Sequence, residues 1–327
     1  MILITGANGF VGKNLVNQFV EQGQTANIRL FLRRPVSAYS SQNITCCYGD
    51  MTNRQQIINA LEKVDTVIHL ASKNIDVDHT GFHETNVVGL KLLAEACAEK
   101  QIKKFIYLSS TGVYGHGENL AGVSENHPIH PDTELSISKA AAEQIILNYH
   151  LQGSFQAIIL RPRFIYGQHD LHFIPSLIRY MSKSPLLIDG GKAKVSVIHV
   201  DDLTKLVVKL ASDENPFQDA YPVFHVNDAH PISYKEISHI LAQKFNYSPG
   251  KIAIPSWLIY TPIRIKELCM GERRSHSSSV TSLQIKLLTY DNYFSVHKLQ
   301  TIFPEFQCRS FAERFSLDDY PNYLVRE

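Results

Sequence analysis

No run of apolar residues in this sequence is long enough to cross a bilayer, which takes about 20 in succession. The first ten residues, MILITGANGF, are apolar for only four positions before a glycine turn, so neither a secretory signal nor an anchor is expected there. An excess of one charge is lacking too. The 32 Lys and Arg face 31 Asp and Glu, and no basic stripe or acidic tail points to nucleic acid. Cysteines are few: Cys46, Cys47, Cys97, Cys269 and Cys308 are odd in number and have no C-x-x-C spacing. They are expected to be reduced thiols of a cytoplasmic protein, without a metal site or a disulfide framework. No internal repeat is visible. These absences leave a globular chain of 327 residues whose expected partner is a small-molecule substrate, with no nucleic acid and no membrane, and whose size suits a homodimer.

Short β-branched runs alternate with amphipathic stretches through the first half. ILIT, IRLFLR, ITCCYG, DTVIHLA, KKFIYLSS and FQAIILRP read as buried strands, and residues such as Lys13 to Gln22 and Asn86 to Glu99 read as helices between them. Strict alternation predicts an α/β fold with a doubly wound parallel sheet of Rossmann type. After Gly167 the pattern becomes mixed, with one strand at KVSVIHV, a helix from Asp201, a strand at YPVFHV, and helices over 233–245 and 256–269. The expected division is a dinucleotide-binding domain over 1–167, to which about 198–228 returns, and a smaller, partly interleaved substrate lobe from 168–197 and 229–327. The polar segment from Met270 to Ser282 reads as a surface loop, or as a lid with Arg273 and Arg274 facing an anion.

Gly6, Gly9 and Gly12 in ILITGANGFVGKNLV follow a strand and open a helix at Phe10. The first permits a tight turn, the second lets backbone approach a pyrophosphate, and the third allows close packing of helix on strand. The spacing G-x-x-G-x-x-G is that of a particular group, and from Met1 to about Asp202 the sequence resembles the extended short-chain dehydrogenases/reductases, which are NAD-dependent epimerase/dehydratase-like. The resemblance also rests on YGDMTN with Asp50 and Met51, VIHLAS with Ala71, ETNVVGLKLLAEAC with Asn86, YLSSTGVYG with Ser110, then Lys139, RPRFIYG with Pro162 and Phe164, and VIHVDDL with His199. It implies that Asp50 and Met51 hold the adenine end, that Ala71 lies beside the cofactor, and that Pro162 and Phe164 face the nicotinamide. The second strand ends FLRRP, with Arg33 and Arg34 and no acidic residue. Arginine holds a 2′-phosphate that a carboxylate would repel, so NADP(H) is the expected cofactor ahead of NAD(H).

The resemblance further implies a tyrosine as general acid or base, a lysine four residues later that lowers its pKa and binds the ribose, and a serine that holds the substrate oxygen. Ser110 and Lys139 are in place, but the tyrosine position is Leu135. The following KAAAEQ fixes the register, and no tyrosine lies between Tyr114 and Tyr149. A leucine cannot carry a proton, so the proton must come from another side chain, from water or from the substrate itself; His127, His130, Glu134 and Tyr114 are the nearby side-chain candidates. His169, Asp170 and His172 lack the spacing of a metal site. Val195 stands where members acting on nucleotide sugars carry an arginine, and Thr111-Gly112 departs from the dehydratase pattern; both argue against a nucleotide sugar. Leu135 and His199 are expected to line the substrate side, and Trp257 with its apolar neighbours fits a hydrophobic ligand or a core. The resulting expectation is an atypical NADP(H)-binding oxidoreductase acting on a small, biosynthetic metabolite. A non-redox lyase, cyclase or isomerase, or a noncatalytic NADP(H) sensor, would use the same frame.

Overall fold

A computed structural model describes residues 1–40, 42–75, 81–117, 119–184, 186–213, 221–270 and 281–321. Five apolar runs form parallel strands β1 (Ile2–Thr5), β2 (Ile28–Leu32), β3 (Thr45–Tyr48), β4 (Thr66–His69) and β5 (Lys104–Leu108). With Gln156–Pro162 and Val223–Val226 they make a seven-stranded sheet. From one edge the order is Val223–Val226, Gln156–Pro162, β5, β4, β1, β2, β3, every pairing parallel. The fold is Rossmann-like. Helices cover both faces, as continuous apolar strands demand: Phe10–Glu21 packs beside Val200–Ser212 on one, and Arg54–Ala60, Leu90–Glu99 and Glu134–Leu151 on the other. Strand order reverses between β1 and β4, which opens a crevice at their carboxyl ends, where ligands of such sheets bind.

The smaller lobe is built around a four-stranded sheet in the order Ile232–Ser233, Lys194–Val195, Asn292–Phe294, Leu120–Val123. Two features differ from the sequence reading. KVSVIHV is two strands: Lys194–Val195 joins the small sheet, whereas Val197–His199 pairs with Phe164–Tyr166. Between them, the Ser196 hydroxyl accepts the Phe294 N–H at 3.0 Å, tying the chain to the small sheet as it changes partner. Leu120–Val123, inside the stretch assigned to the nucleotide-binding domain, leaves the large sheet and pairs with Asn292–Phe294. Val223–Val226 returns to the large sheet beside Gln156–Pro162. The helix expected from Asn86 begins as a π-helical stretch, Glu84–Gly89, and becomes α-helical at Leu90–Glu99. Trp257, Leu258 and Ile265 lie outward on the helix Ser256–Met270, at 65%, 50% and 56% exposure, and so belong to no core. Arg273 and Arg274 lie outside the described residues.

Candidate active site

The glycine turn has the geometry a dinucleotide requires. Gly6 sits at φ +73°, and a Cβ there would stand 2.5 Å from the Ala71 nitrogen, so the turn lies directly against the chain leaving β4. A Cβ on Gly12 would be 2.2 Å from the Gly6 carbonyl oxygen, which makes glycine a condition for packing the helix on the strand. At Gly9 the nearest such neighbour is the Gly6 oxygen at 3.3 Å, so the protein leaves that approach open. Gly9 caps the helix Phe10–Glu21 without a side-chain hydrogen bond, and no acidic residue occupies the first turn. The free amides and positive dipole end therefore suit a pyrophosphate. Phe10 is partly buried against the core below this turn.

Around it stand the other expected residues. Thr5 Oγ1 accepts the Ala71 N–H at 3.2 Å and lies 2.8 Å from His69 Nδ1; burial holds His69 neutral, with its pKa down at about 3. Arg33 and Arg34 are exposed just beyond β2. Asp50 is held below the usual carboxylate range by the hydroxyl and amide of Thr52, at 2.7 and 2.9 Å, and by the charge of Arg33. Met51 is buried under Gly89 of the π-helical stretch. That stretch presents Asn86, whose side chain accepts the Lys73 N–H at 2.8 Å and donates to the Lys73 carbonyl and to Ser138 Oγ, both at 3.0 Å.

The helix Glu134–Leu151 begins with a reciprocal cap between Thr133 and Ser136 and places Leu135, Lys139 and Glu143 along one face. Lys139 is buried, donates to the Leu108 carbonyl at 3.0 Å and lies 5.1 Å from the Tyr107 ring centroid. Burial pulls its pKa down to about 8. Ser110 caps the short 3₁₀ turn Thr111–Tyr114, its oxygen accepting the Gly112 N–H at 3.0 Å, which leaves its own proton free to donate. Leu135, half-buried at the head of the helix, offers neither donor nor acceptor on its side chain.

Of the proposed substitutes, Tyr114 is committed elsewhere. Its hydroxyl accepts from Arg161 at 2.6 Å and lies 2.7 Å from His225 Nε2, and burial raises its pKa far above the ordinary phenol value. Arg161 Nε also donates to Glu143 at 2.9 Å, its Nη2 pairs with the other Glu143 oxygen, and Ser109 completes that carboxylate's shell. His127 lies tilted at 60° to the Tyr114 ring with centroids 5.8 Å apart, His130 is exposed, and Glu134 is a first-turn acid of its helix. The residue that sequence reasoning missed is His116. Its Nδ1 is 2.6 Å from Asp132 Oδ1, while its backbone N–H donates to Asp132 Oδ2 at 3.0 Å. A methyl group added at Gly112 would stand 3.3 Å from Ser110 Oγ and 3.7 Å from His116 Nε2, so the two polar groups flank one small space. Burial, then the charges of Arg163 and Lys286, lower the His116 pKa against the pull of Asp132. Apart from its nearness to the VYG segment, nothing in the sequence marks His116.

Pro162 ends its strand buried, and Phe164 lies stacked on Phe173 with centroids 4.4 Å apart. Between them Arg163 places its guanidinium carbon 4.6 Å from the Phe164 centroid, and its buried Nε and Nη2 have no hydrogen-bond partner. His199, expected on the substrate side, is used by the fold: Nδ1 accepts the Asp201 N–H at 3.2 Å as the cap of Val200–Ser212, and Nε2 is 3.2 Å from Asp319. Both ring nitrogens are thereby engaged, so it is a capping residue. Asp170 likewise caps, accepting from the amides of His172, Phe173 and Ile174 at 2.8, 2.9 and 2.9 Å.

The sequence model of the NAD dependent epimerase/dehydratase family matches residues 2–223. A 4-hydroxy-2-methyl-3-oxo-4-farnesyl-3,4-dihydroquinoline-1-oxide ketoreductase of Stigmatella aurantiaca is 27% identical over 246 residues, 73% of this chain and 72% of that enzyme. A decarboxylating sterol-4-alpha-carboxylate 3-dehydrogenase of Mus musculus is 25% identical over 92% of this chain and 84% of its own length. For a 2-alkyl-3-oxoalkanoate reductase of Shewanella oneidensis the identity is 25%, over 90% and 79%. Among solved structures, MoeE5 in complex with UDP-glucose and NAD superposes with a TM-score of 0.72 at 21% identity, over 98% of this chain and 97% of that one, a likeness of fold alone. The family model spans more than half of the chain, and the chain belongs to the NAD dependent epimerase/dehydratase family of extended short-chain dehydrogenases/reductases.

Proposed function

We propose that the protein is an NADP(H)-dependent oxidoreductase acting on a small metabolite other than a nucleotide sugar, in which the His116–Asp132 pair takes the proton that the absent tyrosine would have handled. The observation that carries this reading is the placement of His116 Nε2 across Gly112 from Ser110, with Nδ1 fixed by Asp132. The nicotinamide, when bound, accepts or supplies the hydride. Gly9 and the free amides that open Phe10–Glu21 would receive the cofactor's pyrophosphate, in a turn that Gly6 and Gly12 make possible, Lys139 would hold its ribose hydroxyls, and Arg33 and Arg34 the 2′-phosphate. Ser110 donates to the substrate oxygen. With Nδ1–H donated to Asp132, neutral His116 presents Nε2 as an acceptor; it takes the hydroxyl proton as an alcohol becomes a carbonyl, and the imidazolium returns it in the reverse direction.

The test uses NADPH turnover with a panel of ketones, and the alcohols with NADP⁺. Product is expected in proportion to cofactor consumed, and His116→Gln is expected to lower kcat/KM by roughly 10²–10⁴-fold. In the alcohol-oxidising direction the His116 limb of the pH profile is expected below the ordinary imidazole value, because its pKa is lowered, and that limb should vanish in His116→Gln. Product without cofactor turnover would instead make the chain a non-redox enzyme. Tight NADPH binding without conversion would make it a sensor.

A further inference from the structure

Arg163 is held where an arginine should not stay alone. Among the described residues its buried Nε and Nη2 have no hydrogen-bond partner, an arrangement that is costly for a charged group unless a ligand completes it. Burial draws its pKa down to about 10, with Tyr234 and Asp132 opposing. Asp132 does not complete it: its oxygens face the His116 ring and backbone, and neither bonds the buried Nε or Nη2. Phe164 lies against the guanidinium, its ring centroid 4.6 Å from the central carbon. A second cation, Lys286, stands beside the same histidine: its Nζ would be 3.4 Å from a Cβ at Gly117, and its charge, like that of Arg163, acts on His116.

From this we infer that Arg163 and Lys286 form an anion-binding corner of the substrate pocket, and that the substrate is a ketone or alcohol bearing a carboxylate. The inference rests on the oxidoreductase reading for the assignment of the carbonyl to Ser110, and it adds the second functional group. Adjacent Nε–H and Nη2–H groups in one plane match the two oxygens of a carboxylate, and a fork of this kind is what distinguishes arginine from a point charge. Lys286 supplies the point charge beside it. The charges of Arg163 and Lys286 both act on His116, which borders the space at Ser110, so one short molecule can engage the serine with its oxygen and the arginine with its acid.

Isothermal titration of the NADP⁺-loaded protein provides the test, with benzoylacetate, its neutral counterpart acetophenone, and phenacylphosphonate as probes. Benzoylacetate is expected to bind roughly 10–150-fold more tightly than acetophenone, the worth of a charge-assisted pair. Arg163→Met should remove most of that ratio without changing NADP⁺ affinity, Arg163→Lys should restore part of it, and Lys286→Met should reduce it less. Equal affinity for acid and ketone, no binding of the acid, or a ratio unchanged in both methionine variants would overturn the proposal. Tighter binding of the phosphonate would overturn the carboxylate class. A retained ratio in a protein that transfers no hydride would leave the corner standing and remove the oxidoreductase reading, so the two failures are distinct.

Discussion

Arg161 and Arg163 are two residues apart, flank the same proline, and meet opposite surroundings. Arg161 pairs with Glu143 through two nitrogens, donates to the Tyr114 hydroxyl, and has its charge compensated where it is buried. Arg163 also buries nitrogens, yet finds no partner among the described residues. The difference teaches how to separate a polar group that holds a fold from one kept for a ligand. Around Arg161 the cluster is complete: Glu143, Ser109, Tyr114 and His225 satisfy one another, and His225 Nδ1 reaches the Ser295 carbonyl at 3.0 Å. Around Arg163 no described residue hydrogen-bonds the buried Nε or Nη2.

Removing each arginine in turn is the sharpest way to break this comparison. Arg161→Met should cost about 3–5 kcal/mol, since it strands the Glu143 carboxylate in the interior. Arg163→Met should leave stability within about 1 kcal/mol or raise it, because no bond is lost and a buried charge is removed. Urea denaturation of the two variants measures both, and equal losses would mean that Arg163 is as structural as Arg161.

A second pair of arginines extends the contrast to the surface. Arg33 and Arg34 pay no burial cost, and their role in binding depends on a phosphate being presented to them. Changing both to Ala should remove most of a preference for NADPH over NADH, each contact being worth about 1.5–3 kcal/mol. Fluorescence titration reads it directly; equal affinities in the unmutated protein would reverse the assignment to NAD(H).

The smallest effect is expected at Leu135, at the head of the helix that carries Glu143 into the complete cluster. Leu135→Tyr should leave the native reaction unchanged or slightly lower it, by less than about 1.5 kcal/mol in the barrier, through crowding of an apolar wall. A rise of 10²-fold or more on the native substrate would show that a phenol is what the site lacks.

The parts legible from sequence share a physical origin. The glycine turn could be read because each glycine answers a demand made within a few residues: positive φ at Gly6, and no room for a Cβ at Gly12. The helix bearing Lys139 could be placed because its cap spans three residues and its buried face repeats every four. The parallel sheet followed from apolar runs alternating with helices. Other features joined segments that no local period relates. KVSVIHV looked like one strand, and only its two different neighbours divided it at Ser196. Tyr114 looked available for proton transfer until a histidine 111 residues away took its hydroxyl.

What the sequence determined by itself was therefore the cofactor frame, the positions of Ser110 and Lys139, and the absence of a tyrosine at Leu135. Tertiary structure alone decided which histidine stands across Gly112 from Ser110 and which arginine is left without a hydrogen-bond partner among the described residues. Backbone conformation and helical spacing are set by neighbouring residues, whereas the partner of a buried charge is set by whichever distant segment the packed chain brings against it. His116 and Asp132, 16 residues apart, meet only because the loop between them closes onto the end of the 3₁₀ turn.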